Sequence, residues 1–214
     1  MKRLVLFVLV MGIAVSLFAQ VNTRDFRYAT GNWNFTGNRL YQNDANARLA
    51  KAFLPAPQTG TMYYEFNARY EGGAEDGHGG FGIHVFVDNA YTGSAWGAGR
   101  SYLLWLNYDE RPASREIPSG LSAQVYRSVS NSQMELMESI SLSEFSPLLT
   151  QSNLAQPVPF LIRVDGNSGE VRVYDPTDPN MGNYYYFFID RRQTPLRGNW
   201  IAIRTNGMRM SFGQ

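Results

Sequence analysis

Alternation with a period of two runs through nearly the whole chain and confines it to β-structure. In Met62-Tyr63-Tyr64-Glu65-Phe66-Asn67-Ala68-Arg69 the even positions are apolar and the odd ones mostly polar. In Phe81-Gly82-Ile83-His84-Val85-Phe86-Val87-Asp88 the odd positions are apolar. Val158, Phe160, Ile162 and Val164 alternate with Pro159, Leu161, Arg163 and Asp165, and Met208, Met210 and Phe212 with Arg209 and Ser211. Successive side chains of a strand point to opposite faces, so each run lays one face on a core and the other in water. Tyr102 to Tyr108 is apolar on both faces, as a central strand is. Tyr184 to Phe188 reads as a strand buried on one face, with Tyr185 and Phe187 on the other.

Turn residues separate these runs. Thr36-Gly37-Asn38 and Asp165-Gly166-Asn167-Ser168-Gly169 each read as hairpin loops. Asn206-Gly207, between Ile201–Thr205 and Met208–Phe212, is the strongest two-residue turn signal. Only residues 143–154 suggest a helix, a short one with Ser143 as N-cap and Pro147 limiting it. Roughly a dozen strands with at most one short helix predict an all-β sandwich or barrel.

The N-terminus carries a different signal. Met1-Lys2-Arg3 is basic, Leu4 to Phe18 is almost wholly apolar, and Ala19 precedes a polar sequence. That is the layout of a secretory signal peptide, and the run is shorter than the roughly 20 residues a membrane span needs. The expectation is a signal peptide over 1–19 and one exported domain over 20–214, periplasmic or at the cell surface of a bacterium, with no membrane span after cleavage. There is no cysteine, which excludes disulfides, thiol catalysis and Cys-based zinc sites. Of the 19 Lys and Arg, Lys2 and Arg3 lie in the leader, leaving 17 against 18 Asp and Glu and a net of −1. Such a balance gives no support for a nucleic-acid partner. After the leader the one lysine is Lys51, while arginines are many; planar, bidentate recognition would use arginine in this way.

The order of elements carries a resemblance. Gly31-Asn32-Trp33 followed by Gly37-Asn38-Arg39-Leu40 resembles the opening strands of concanavalin A-like sandwiches, the lectin/glucanase and laminin-G-like superfamily. Met62–Tyr70 and Phe81–Asp88 resemble the strands that follow. Phe160–Asp165 with Gly169–Tyr174 is similar to its late hairpin, and Gly198–Arg204 with Met210–Phe212 to its closing strands. The resemblance implies a two-sheet antiparallel, jelly-roll sandwich with one concave sheet. It does not imply an activity.

Hydrolases of this superfamily set two or three carboxylates at alternate positions of one strand, which places an acid and a nucleophile about 5 Å apart. No such pair exists here; the corresponding strand carries His84, Phe86 and Asp88. Asp109 and Glu110 are adjacent, and Glu135 and Glu138 are expected on opposite faces. Two histidines, His78 and His84, are too few for most His-based metal sites, and no Gly-x-Ser-x-Gly elbow is present. Glu71, Glu75 and Asp76 sit in a glycine-rich loop whose oxygens could hold calcium. The main candidate is a surface. With Phe81, Ile83, Val85 and Val87 facing the core, His84, Phe86 and Asp88 face outward. Trp105 and Asn107 join them from a paired strand, and Tyr91, Trp96 and Arg100 from the connecting loop. Flat aromatic faces stack on sugar rings while Asp, Asn and Arg bind hydroxyls. The expectation is a non-catalytic module that binds carbohydrate. A structural subunit binding an envelope protein comes second, and a glycoside hydrolase with a non-standard carboxylate arrangement third.

Overall fold

The structure is a computed structural model that describes residues 25–142, 153–176, 178, 180, 182–189 and 196–213. The expected signal peptide and most of the expected short helix lie outside these residues. Asn153–Ala155 forms one turn of 3-10 helix.

Fourteen strands are described: β1 (Arg27–Thr30), β2 (Trp33–Thr36), β3 (Arg39–Gln42), β4 (Ala50–Gln58), β5 (Thr61–Gly73), β6 (His78–Val87), β7 (Ser101–Asp109), β8 (Gly120–Ser128), β9 (Met134–Ser141), β10 (Val158–Asp165), β11 (Glu170–Tyr174), β12 (Tyr184–Phe188), β13 (Gly198–Asn206) and β14 (Met208–Gly213). They form two seven-stranded sheets. Sheet 1 runs β1-β4-β13-β6-β7-β8-β9, and sheet 2 runs β12-β11-β10-β5-β14-β3-β2. Pairing is antiparallel throughout both. The all-β sandwich that the alternation and the resemblance predict is the observed architecture.

The alternating positions explain the packing. Phe81, Ile83 and Val85 of β6, Leu104 of β7 and Ile201 and Ile203 of β13 point inward from sheet 1. Phe66, Phe160, Ile162, Val171 and Phe212 meet them from sheet 2. Three rings bridge the sheets: Phe66 stacks on Phe160 at 5.5 Å, and Phe81 meets Phe160 edge-on at 5.7 Å. Each fully buried large side chain stabilises the fold by about 1.5–3 kcal/mol. The open sides are closed by side chains. Tyr28 stacks on Trp33 at 6.2 Å between β1 and β2. The Tyr185 hydroxyl of β12 donates to Glu138 of β9.

The hairpins at Gly37-Asn38 and Asp165–Gly169 form as expected, pairing β2 with β3 and β10 with β11. Asn206-Gly207 links β13 to β14 as a tight turn, but the two strands do not pair: β13 lies in sheet 1 and β14 in sheet 2, and Gly207, at φ +66°, carries the chain across the sandwich. Two expectations are corrected. In β12 the buried face is that of Tyr185 and Phe187, whereas Tyr184 and Tyr186 are exposed. Glu135 and Glu138 do not fall on opposite faces. A bulge in β9 pairs Glu138 with Val125 and Glu135 with Arg127, which turns both toward the inner side. Glu135 there bridges to Arg127, at 2.5 Å.

Candidate binding face

The outer face of sheet 1 is built from the positions that alternate with the core. One row runs across it through paired residues: Lys51 on β4, Arg204 on β13, Gly82 on β6, Trp105 on β7 and Gln124 on β8. The next row holds Phe53, Ala202, His84, Leu103 and Tyr126. Asn107 extends β7 on the same face and accepts a hydrogen bond from Trp105 Nε1 at 3.1 Å. Gly80 makes room for the indole, since a Cβ there would sit 2.4 Å from the Trp105 ring.

The segment between β6 and β7, residues 88–100, crosses this face as a strap. Asp88 closes its base, accepting hydrogen bonds from the amides of Asn89 at 2.8 Å and Arg100 at 3.1 Å. Tyr91 packs edge-on against Phe53 at 5.0 Å and donates its hydroxyl to the Gly97 carbonyl. The far end is tied to the β8–β9 turn by Gly97 N to Asn131 O and Gly99 N to Asn131 Oδ1, both 2.8 Å. Lys51 Nζ donates to Ala95 O at 2.6 Å, and Arg204 Nη1 to Trp96 O at 2.8 Å.

Arg204 lies between two indoles, 4.9 Å from the centre of Trp96 and 5.2 Å from that of Trp105. Cation–π attraction of this kind is worth about 0.5–2 kcal/mol per ring. Trp105 is buried, but Trp96 is 45% exposed. The charges beneath are strongly perturbed. Burial, reinforced by the positive charge of Arg204, pushes the Lys51 amine down to about 6. Burial lowers Arg204 to about 10, with Tyr91 and Tyr126 opposing the shift. His84 is fully buried and held well below the ordinary imidazole range by desolvation, then by Arg204 and Lys51. Its Nδ1 meets Ser101 Oγ at 3.0 Å.

The structure therefore gathers His84, Tyr91, Trp96, Trp105 and Asn107 on or over one face. It removes Phe86 from that face. Val85 and Phe86 form a β-bulge opposite Ile201, and Phe86 adopts φ +56°. Past the bulge the alternation inverts. Phe86 turns into the core, and Val87, expected inside, turns outward to pack with Phe53, Ala98 and Ala202. Buried Gln58 holds the bulge: its Oε1 accepts from Phe86 N at 2.8 Å and from the Tyr64 hydroxyl, and its Nε2 donates to Trp200 O at 2.8 Å. Arg100 is exposed and, with Asp88, lines a cleft of about 540 Å³ at the end of the sandwich, beside Arg127, Glu135 and Arg197.

Lys51 and Arg204 are the site residues that sequence reasoning missed. A signal existed: the single lysine after residue 19 stands inside the apolar run Ala50-Lys51-Ala52-Phe53-Leu54. The expected calcium ligands are placed apart in role. Glu71 is bound by Arg69 at 2.7 Å and by the Ser211 hydroxyl at 2.6 Å, and Asp76 pairs with Arg48 at 3.1 Å. Among the described residues, no group of three or more Asp, Glu or His side chains could hold a metal ion.

No protein-family model matches this sequence, and no curated protein matches it either. Solved structures do. The metal-free exoplasmic/lumenal domain of VIP36 aligns with a TM-score of 0.56 at 12% identity, over 94% of this chain and 90% of that one. A protein of unknown function with a galectin-like fold from Bacillus subtilis aligns at 0.55 and 14% identity, over 92% and 90%. A legume lectin-like domain from Entamoeba histolytica aligns at 0.51 and 12%, over 88% and 86%. At such identities the likeness concerns the fold. This chain, with its two seven-stranded antiparallel sheets, thus has the sandwich fold of these galectin-like and legume lectin-like structures, a concanavalin A-like fold.

Proposed function

We propose that the chain is an exported, non-catalytic module that binds carbohydrate on the outer face of sheet 1, with Trp96 as the stacking platform. The observation that carries this reading is a large indole left 45% exposed and yet held in place by the guanidinium beneath it. A fixed, flat, half-exposed ring beside polar groups suits the apolar face of a sugar. Trp105 and Arg204 support the platform from below, Asp88 fixes the strap, and Asn107 adds a polar edge. Export rests on the sequence pattern of residues 1–19. Titration of tryptophan fluorescence with soluble glycans and cell-wall fragments tests the binding. Saturable quenching is expected, and Trp96→Ala should weaken it by about tenfold or more, a loss of 1.4 kcal/mol or greater. Quenching that persists unchanged in a folded Trp96→Ala protein, or its absence across a broad panel, sinks the reading.

One observation favours the second reading, an assembly subunit. Tyr174, Tyr184 and Tyr186 form a ladder on the outer face of sheet 2 at its edge, with neighbouring centroids 5.6 and 6.5 Å apart and Tyr186 59% exposed. If that ladder is an interface between copies, sedimentation should show self-association that Tyr186→Ser reduces. A monomer at every concentration counts against it.

A further inference from the structure

We propose that Lys51, His84 and Arg204, beneath the strap, form an anion subsite that receives the carboxylate or phosphate group of an acidic carbohydrate. This deepens the carbohydrate reading and rests on it. Three basic side chains from three strands meet on one sheet face. Arg204 stands directly opposite Lys51, and His84 lies one row along, opposite Ala202. All three are buried. Among the described residues, none of them has a carboxylate partner in an ion pair.

Such a cluster normally recruits an acid, because a buried charge without an opposite charge is costly. Here the acceptors are neutral. Lys51 donates to Ala95 O at 2.6 Å and, weakly, to Leu49 O at 3.4 Å. Arg204 Nη1 donates to Trp96 O. Two further nitrogens, Arg204 Nε and His84 Nε2, are buried with no partner among the described residues. The donors thus outnumber their acceptors, and two strap carbonyls take up positions that an anionic group would fill better. A carboxylate or phosphate brings two or three strong acceptors and a full charge, in the geometry that a guanidinium binds bidentately.

Entry requires the middle of the strap to lift, releasing the Ala95 and Trp96 carbonyls from Lys51 and Arg204. Thr92–Ser94 is exposed, and Gly93, at φ +90°, precedes Ala95; its amide donates to Ala29 O of β1 at 3.1 Å, the backbone bond that lifting the middle of the strap breaks. The ends stay tied through Asp88, Ser128 and Asn131. The Trp96 ring stays over Arg204 while its carbonyl turns away, so the ring that stacks on the sugar and the carbonyl that yields to its acidic group belong to one residue.

Binding would be linked to protons. The groups facing Lys51 are Arg204 from β13, His84 from β6 and Tyr91 from the strap, with Tyr126 of β8 beside Arg204. With its amine pushed down to about 6 by burial and by Arg204, Lys51 favours the neutral form at pH 7 in the free protein. An anion beside it restores the charge, so up to one proton is taken up. Affinity should then rise as pH falls from 8 toward about 6, and level off below that.

Isothermal calorimetry of the purified protein tests this, with oligogalacturonate, its methyl ester and inorganic phosphate as probes, in two buffers of different ionisation heat. The acid should bind at least about tenfold tighter than the ester, with proton uptake near pH 7. Lys51→Met should abolish the uptake and most of the preference, and His84→Gln should reduce the preference. Trp96→Ala should weaken acid and ester alike. Competition by phosphate assigns both anion chemistries to the subsite, and failure to compete confines it to carboxylates. Equal binding of acid and ester overturns the subsite but leaves the carbohydrate reading standing. Binding of neither sugar overturns the subsite for acidic carbohydrate, and the carbohydrate reading falls with it only where the glycan panel also gives no quenching.

Discussion

Lys51→Met is expected to stabilise the folded protein at pH 7 by about 3–5 kcal/mol. The amine ordinarily titrates at 10.5 and is pushed down to about 6 by its surroundings. Between those values the unfolded chain carries a proton that the folded chain lacks, so wild-type stability rises with pH across that window. Each pH unit corresponds to about 1.4 kcal/mol, which puts the cost of a neutral, buried Lys51 at pH 7 on the order of 5 kcal/mol. The variant loses the hydrogen bond to Ala95 O, worth about 1 kcal/mol. Methionine has a similar length and volume, so the site should not collapse. Denaturant midpoints measured from pH 5 to 10 check this. Wild type should gain stability from about pH 6 upward, and Lys51→Met should be higher and flatter. Identical midpoints and slopes in the two proteins would mean that Lys51 keeps its charge in the fold. A buried lysine that costs its own fold stability is what an anion subsite at this position requires.

Gln58→Met should act in the opposite direction and cost about 2–6 kcal/mol. Gln58 is fully buried, and its Oε1 accepts from both the Phe86 amide and the Tyr64 hydroxyl. Methionine fills the volume but leaves those two donors unpaired, and each orphaned buried donor costs about 1–3 kcal/mol. The Phe86 amide has no alternative in the ladder, because the bulge places it out of register with β13. The damage should reach the binding face. Without the bulge, Val87 would not point outward, and the contact of Phe53, Ala98 and Ala202 beneath the strap would open. Equilibrium unfolding measures the loss of stability, and the Trp96 environment reports on the strap. A loss below about 1 kcal/mol would show that the bulge is held by something other than Gln58.

These two residues also mark where sequence reading succeeds and fails. The inward positions of β5, β6 and β10 were legible because side-chain direction follows residue parity as long as the strand is regular. His84, Trp105 and Asn107 were placed outward on that rule, and the structure has them there. Phe86 was misplaced because one extra residue at a bulge inverts parity beyond it. The same effect in β9 put Glu135 and Glu138 on one side. Asn206-Gly207 carries a turn signal, and the turn is there, yet a tight turn fixes only the local reversal of the chain. Whether the next strand pairs with its predecessor or crosses to the other sheet depends on which apolar face is still uncovered.

By itself, then, the sequence determined a β-sandwich: its strands, most of their buried faces and its local turns. All of these arise from interactions within a few residues, where periodicity and turn chemistry act. The tertiary structure alone decided the assignment of strands to sheets, the strap across sheet 1 and the meeting of Lys51 with Arg204 and His84. Those depend on pairings between residues far apart in the chain. Arg204 and Lys51 face each other across 153 positions of sequence, and no local pattern encodes the partner that a side chain meets only after the sheets have closed.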